Sequence, residues 1–300
     1  MDKPEVIVIC GPTASGKTAL SIELAKKING EIISSDSMQI YKYMDIGTAK
    51  PTQEEMQGIK HYLLDFVEPN QRYSVAEFKK DAEKSIEEIL NKGKVPIIVG
   101  GTGLYVDSLI YGIEYQEIKF DEKYREELEK RAEAEGLENL YNEAKQIDPQ
   151  AIEKISENDK KRILRILEIY KATGKNKTEQ EIESRKNGVK YDYKVFAINM
   201  ERKKLYERIN ARVDIMIEHG LIQEVQNLLK RYAEFPTAMQ GLGYKEVVEY
   251  LNGKISKEEM IEEIKRETRR YAKRQLTWFR KNKQTIWIES HDLQKILNEI

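Results

Sequence analysis

The chain has 300 residues, with 51 Lys and Arg against 52 Asp and Glu, three His and one Cys. That length suits one sizeable α/β domain plus a smaller insertion, domains running about 100 to 200 residues. Balanced charge gives no bulk footprint for nucleic acid, while a single cysteine and three scattered histidines (His61, His219, His291) exclude an internal disulfide and an obvious zinc cluster.

The run Val6-Ile7-Val8-Ile9-Cys10 predicts a buried parallel strand, and Leu20, Leu24 and Ile28 then recur at i, i+4, i+8 as one face of a helix that Asn29-Gly30 stops. Between them stands Gly11-Pro12-Thr13-Ala14-Ser15-Gly16-Lys17-Thr18, a GxxxxGKT pattern that reads as a phosphate-binding P-loop. Its glycines let backbone N–H groups curl toward an oxyanion at the positive end of the helix, with Lys17 reaching the terminal phosphate and the Thr18 hydroxyl holding Mg²⁺. The bland alternative is a tight turn without a ligand. The pattern specifies a polyphosphate and is silent about which one.

Glu31 to Ser34 predicts a second strand that delivers Ser35, Asp36, Ser37, Met38 and Gln39 to its carboxyl end, where ligands bind in open parallel sheets. Asp36 is either a turn former or, with the P-loop on the same edge, a functional carboxylate. Ile46 to Pro51 is a Gly/Pro-bounded connection in which Lys50 reads as a phosphate ligand or a solvated charge, and His61 to Asp65 as a short strand. Ser74 and Glu77 form a capping box for a crossover helix along Phe78, Ala82, Ile86 and Ile89 that ends at Asn91 to Gly93. It leads to a strand from Val95 to Val99 and the turn Gly100-Gly101-Thr102-Gly103, which sets the Thr102 hydroxyl beside the P-loop edge.

From about Tyr115 to Val189 strand signals give way to helical ones: Asp121 as a cap, Gly136 as a stop, the face Leu137, Leu140 and Ala144, a start at Asp148-Pro149, and Ile163, Ile166, Leu167 and Tyr170 ending at Gly174. Lys160, Lys161, Arg162 and Arg165 make a basic entry turn that opposes the helix dipole, and so serves a polyanion or is merely solvated. The chain returns to strand at Lys194 to Ile198, followed by a helix with Leu205, Ile209, Val213 and Met216 on one face and Arg202, Arg208 and Arg212 elsewhere. Gln240 to Lys245 is a glycine-bearing loop with an aromatic and a cation to stack on or grip a nucleic acid, or a plain connector. Between Lys265 and Lys283 nine cations stand against Glu267 and alternate with Tyr271, Trp278 and Phe279; Arg266, Arg270 and Arg274 share one helix face as a polyanion footprint. The pattern predicts an α/β protein: a P-loop NTPase-like parallel-sheet core (1–115 and 190–300, with basic C-terminal helices) and an all-helical insertion domain (116–189).

With the P-loop, Ser35-Asp36-Ser37, the stretch from Tyr41 to Pro51 containing Asp-Ile-Gly-Thr-Ala-Lys-Pro, Val99-Gly-Gly-Thr-Gly-Leu-Tyr105 and Ala272-Lys-Arg-Gln-Leu-Thr-Trp278 all in order, the chain resembles the bacterial tRNA dimethylallyltransferases, or tRNA isopentenyltransferases, along essentially its whole length. The resemblance implies transfer of the dimethylallyl group from its diphosphate to N6 of adenosine 37 in tRNAs reading codons that begin with U, with the anticodon stem-loop clasped by the helical insertion. It implies Asp36 as acceptor of the N6 proton and Thr102 as hydrogen-bond donor to the bridging oxygen. Gly11, Pro12, Thr13, Ala14, Ser15, Gly16, Lys17 and Thr18 would hold the diphosphate, with Mg²⁺ on Thr18 and help from Arg212, or in its stead from Arg208 one turn away on the same helix. By position, Ser35, Asp36, Ser37, Met38, Gln39, Thr102, Lys161, Arg162, Ile163, Leu164, Arg165, Gln240, Gly241, Leu242, Gly243, Tyr244 and Lys245 would touch tRNA, beside the stripe of Arg266, Arg270 and Arg274. The chain is expected to be monomeric and cytoplasmic with no membrane partner, since no N-terminal apolar run is long enough for a signal peptide. The rival readings are a P-loop kinase of a nucleotide or small metabolite, an isopentenyltransferase acting on free nucleotide, and a nucleic-acid-binding ATPase. The basic tail disfavours both small acceptors, and the lack of a strand ending in paired carboxylates disfavours the ATPase.

Overall fold

The computed structural model describes residues 3–115, 121–184 and 188–300, and divides into two units, Met1–Ile110 with Lys190–Ile300, and Tyr111–Val189. The expected boundary at 116 lies outside the described residues. The first unit is built on a six-stranded sheet of β1 (Glu5–Cys10), β2 (Gly30–Ser34), β3 (His61–Tyr62), β4 (Val95–Gly100), β5 (Asp192–Ile198) and β6 (Ile286–Ile288), in the order β3-β2-β4-β1-β5-β6. Every pairing is parallel, with Ile7 of β1 opposite Ile97 on one side and Lys194 on the other.

Alternation along the strands divides the core between two faces. Val6, Val8 and Cys10 pack with Phe78, Ala82 and Ile86 of helix Val75–Asn91 and with Tyr105 and Val106 of helix Gly103–Ile110. Ile7 and Ile9 face the other way, onto Leu20, Ile22 and Leu24 of helix Lys17–Ile28. Beyond the sheet, Tyr41, Met44 and Val67 join residues of helices Arg202–Glu218, Leu221–Arg231, Tyr244–Leu251 and Lys257–Phe279 in a further cluster. The strand expected from His61 to Asp65 is two residues long, because Leu63 and Asp65 take left-handed backbone (φ 59° and 55°) that a strand does not allow. The sequence pattern also gave no sign of β6 or of the Leu221–Arg231 helix.

Among its described residues the second unit packs helices Glu122–Ala134, Leu137–Ile147, Pro149–Ile152 and Lys160–Thr173 around Leu128, Leu140, Ile152, Ile163 and Leu164, with helix Lys177–Ser184 set against the last two of these helices. Buried Asp148 staples it, accepting hydrogen bonds from the Ala151 N–H (3.0 Å), the Thr178 N–H (2.8 Å) and the Thr178 hydroxyl (2.7 Å). Among the described residues no helix is long and apolar enough to cross a membrane.

Candidate active site

The topology sets β1 in the middle of the sheet, so the loops after β1, β4 and β2 lie side by side at the carboxyl edge. After β1, Ala14 (φ 61°) and Gly16 (φ 95°) both take left-handed backbone, the arrangement that turns successive N–H groups inward as an anion nest. For Ala14 that conformation costs about 1 kcal/mol, tolerated where the loop is built to receive a ligand. The Lys17 ammonium donates to the Pro12 carbonyl at 2.6 Å. Burial pulls its pKa down to about 8; the Asp36 carboxylate works against that shift and Arg212 adds to it. Arg212 is itself lowered, mainly by burial and further by Arg208, with Asp36 again opposing. Lys17, Asp36 and Arg212 therefore share one electrostatic site. Among the described residues, buried Ser15 Oγ has no hydrogen-bond partner.

Asp36 and Thr102 stand on neighbouring loops that brace each other. Asp36 Oδ1 accepts from the N–H groups of Met38 (2.8 Å) and Gln39 (3.3 Å), which fixes the carboxylate on its own turn. Thr102 Oγ1 accepts from the Ser37 N–H at 3.0 Å and donates to Ser37 Oγ at 3.2 Å, while the Thr102 N–H donates to the Ser35 carbonyl. The P-loop joins the same assembly through Gln275, a buried residue of helix Lys257–Phe279 that sequence reasoning missed. Its Oε1 accepts from the Thr13 N–H at 2.9 Å, and its Nε2 donates to the Gly101 carbonyl at 2.9 Å. Tyr271, one turn earlier, sets its hydroxyl against Thr102 and Gln275, and burial raises its pKa to about 12.

Beside the cradle opens a cleft of about 730 Å³ lined by residues 14–19, Ala49, Pro51, Glu55, Arg208, Arg212 and Ile215, among others. Arg208 and Arg212 face the same cleft, so both cations are within range of an anion there. The exposed Thr18 hydroxyl lies on its wall, and among the described residues no cluster of three or more His, Cys, Asp or Glu stands ready to cage a metal. One hydroxyl beside a phosphate cradle fits a hard cation that keeps its waters and takes its remaining oxygens from the substrate.

Several residues expected at an RNA surface lie elsewhere. Tyr244 is fully buried with its hydroxyl on Glu224 at 2.6 Å, because its ring fills the space over Gly47; it cannot stack on a base. Ser35 and Gly241 are buried too, and Ile163 and Leu164 belong to the core of the helical unit, which leaves that turn's outer face to Lys161, Arg162 and Arg165. Asp159 caps this helix and pairs with Arg162 at 3.1 Å, offsetting the unfavourable dipole. Lys50 is neither a phosphate ligand nor solvated: its buried ammonium holds the Tyr41 carbonyl (2.8 Å), Asp45 (2.6 Å) and Asp65 (2.7 Å). Arg266, Arg270 and Arg274 are exposed as expected, but Arg266 pairs with Glu263 at 2.9 Å and Arg270 with Glu267 at 2.6 Å, so the stripe is partly neutralised.

An inward-turned glycine loop carrying Lys17 at the carboxyl edge of a parallel sheet, with Arg208 and Arg212 on the cleft beside it, is the arrangement of an α/β protein of P-loop type. Residues 39–282 match the family described as IPP transferase, and the chain belongs to that family. It is 54% identical to a tRNA dimethylallyltransferase of Acetivibrio thermocellus over 98% of this chain and 96% of that protein, and 52% identical to one of Caldanaerobacter subterraneus over 92% and 89%. Among solved structures, a full-length tRNA isopentenylpyrophosphate transferase of Bacillus halodurans superposes with a TM-score of 0.74 at 43% identity, covering 99% of this chain and 95% of that one. A eukaryotic dimethylallyltransferase acting on tRNA gives 0.81 at 34% identity, covering 97% and 75%.

Proposed function

We propose that this protein transfers the dimethylallyl group from dimethylallyl diphosphate to N6 of adenosine 37 in tRNAs reading codons that begin with U, giving N6-(dimethylallyl)adenosine and diphosphate. The observation that carries the reading is the bracing of Asp36 and Thr102 to each other's loops beside a phosphate cradle, in a chain of this family. An exocyclic adenine amine is a weak nucleophile, so the reaction needs a base at N6 and stabilisation of the leaving group. The N6 lone pair forms a bond to C1 of the allyl group, the C1–O bond breaks with its electrons going to diphosphate, and the N6 proton passes to Asp36. The two bonds to Oδ1 hold that carboxylate still and leave Oδ2 for the proton.

Thr102 donates to the bridging oxygen as charge develops there, after letting go of Ser37. The nest, Lys17, Arg208 and Arg212 take the charge of the departing diphosphate. Mg²⁺ on Thr18 would neutralise part of that charge when bound. The anticodon stem-loop is the acceptor, its target base turned out of the stack because chemistry on a base edge needs that access. Lys161, Arg162, Arg165, Lys245 and the stripe of Arg266, Arg270 and Arg274 meet its phosphates. In this reading the protein works in the cytoplasm as a monomer. Incubation with labelled dimethylallyl diphosphate or γ-labelled ATP, each with bulk tRNA, tests it: label entering tRNA from the first donor alone supports the transferase. Transfer from ATP alone would make it a kinase.

A further inference from the structure

The stretch Asp45-Ile-Gly-Thr-Ala-Lys-Pro51 has no part in the chemistry above, yet its backbone is held from three sides. The Glu224 carboxylate accepts three successive N–H groups, those of Asp45 (2.9 Å), Ile46 (2.8 Å) and Gly47 (3.2 Å), together with the Tyr244 hydroxyl (2.6 Å). A Cβ on Gly47 would lie 2.5 Å from the Tyr244 ring, so glycine is what lets the loop sit this close to Glu224. Lys50 ties the far end to Asp45, Asp65 and the Tyr41 carbonyl. The carbonyls of Thr48 and Ala49, between these anchors, both accept from Gln39 Nε2, at 3.2 and 3.1 Å. Gln39 in turn donates its own N–H to Asp36 Oδ1.

We infer that Glu224 is a positioning residue for Asp36, acting through the 45–51 loop and Gln39. The chain of contacts is continuous: Glu224 fixes three N–H groups, the loop presents two carbonyls, these orient Gln39, and Gln39 sets one of the two bonds that aim the carboxylate. Glu224 touches no reacting atom in this scheme. Its removal leaves three N–H groups and a buried phenol without their acceptor and frees the loop to shift, and misplacing a reacting group by about 1 Å lowers a rate by roughly a hundredfold.

The inference rests on the assignment of Asp36 as base, and a double-mutant cycle separates the two. Single-turnover transfer at saturating tRNA and dimethylallyl diphosphate is measured for the parent, Glu224→Ala, Asp36→Asn and the double variant, with dissociation constants for both substrates. Glu224→Ala is expected to slow transfer by about ten- to a hundredfold with both dissociation constants within about twofold of the parent, and to have little further effect in the Asp36→Asn background. Glu224→Gln, which keeps one acceptor oxygen, is expected to recover part of the rate, and it carries the cycle if Glu224→Ala does not fold. The same fold-loss with and without the Asp36 carboxylate, or a parental rate for Glu224→Ala, overturns the inference while leaving the base assignment intact. A parental rate for Asp36→Asn alone removes the base assignment and the inference with it.

Discussion

Replacing Gln275 with Met keeps the length and bulk of the side chain and deletes its hydrogen bonds to the Thr13 N–H and the Gly101 carbonyl. The Thr13 N–H of the P-loop and the Gly101 carbonyl beside Thr102 then lose their partner in a place where Gln275 is buried. An unpaired buried backbone group costs about 1 to 3 kcal/mol, so the pair amounts to about 2 to 6 kcal/mol. For a chain of this size that lowers the melting midpoint of the core unit by roughly 5 to 15 °C. One of the two bonds ends on the cradle itself, so part of the loss appears in binding: if about 1.4 kcal/mol is felt there, affinity for inorganic diphosphate falls about tenfold. Thermal melting followed by circular dichroism, with and without diphosphate, reads both quantities. A Gln275→Met protein that melts within about 2 °C of the parent, well inside that range, and binds diphosphate equally well would refute the idea that Gln275 ties the two loops together.

Asp36→Ala is expected to lower single-turnover transfer by roughly two to four orders of magnitude, the range for a general base, with tRNA affinity nearly unchanged; filter binding that collapses in parallel would make Asp36 structural. Replacing Arg266, Arg270 and Arg274 with Gln should weaken tRNA binding and flatten its salt dependence by about 0.9 of a unit of slope for each phosphate the arginines had neutralised, leaving donor affinity alone. Since two of these arginines already hold glutamates, a change nearer one phosphate than three is expected, and a parental slope would remove the stripe from the RNA surface. Burial lowers Lys17 to about 8, so its ammonium is present below that pH and lost above it. Diphosphate affinity should therefore fall as pH rises through 8, with proton uptake on binding, and Lys17→Arg should abolish this dependence because a guanidinium stays charged. Affinity that stays flat in the parent as pH is raised from neutral to well above 8 would contradict the assignment.

Five of the six strands were legible, four because buried parallel strands read as continuous apolar runs and β3 only as a longer strand than its two residues, and the P-loop because its glycine and lysine spacing has few other uses. What escaped were the polar residues that face inward. Gln275 lies on the buried side of its helix with Ala272 and Phe279, a polar residue in an apolar stripe, and that placement was the available signal. Glu224 sits likewise between Leu221 and Leu228. Tyr244 and Lys50 were misread for the opposite reason: an aromatic and a cation in a glycine-bearing loop look like ligands for RNA or phosphate until tertiary partners such as Glu224, Asp45 and Asp65 are in view. The arginine stripe looked purer than it is because Glu263 lies just before the run of cations from Lys265 to Lys283.

The most direct test of the account uses one tRNA transcript that reads a U-initial codon and the same transcript with guanosine in place of adenosine 37. Each is incubated with the protein and labelled dimethylallyl diphosphate, then digested to nucleosides. Label is expected in N6-(dimethylallyl)adenosine from the first transcript and none from the second. Equal labelling of both, or label in neither while free adenosine monophosphate accepts it, would contradict the account.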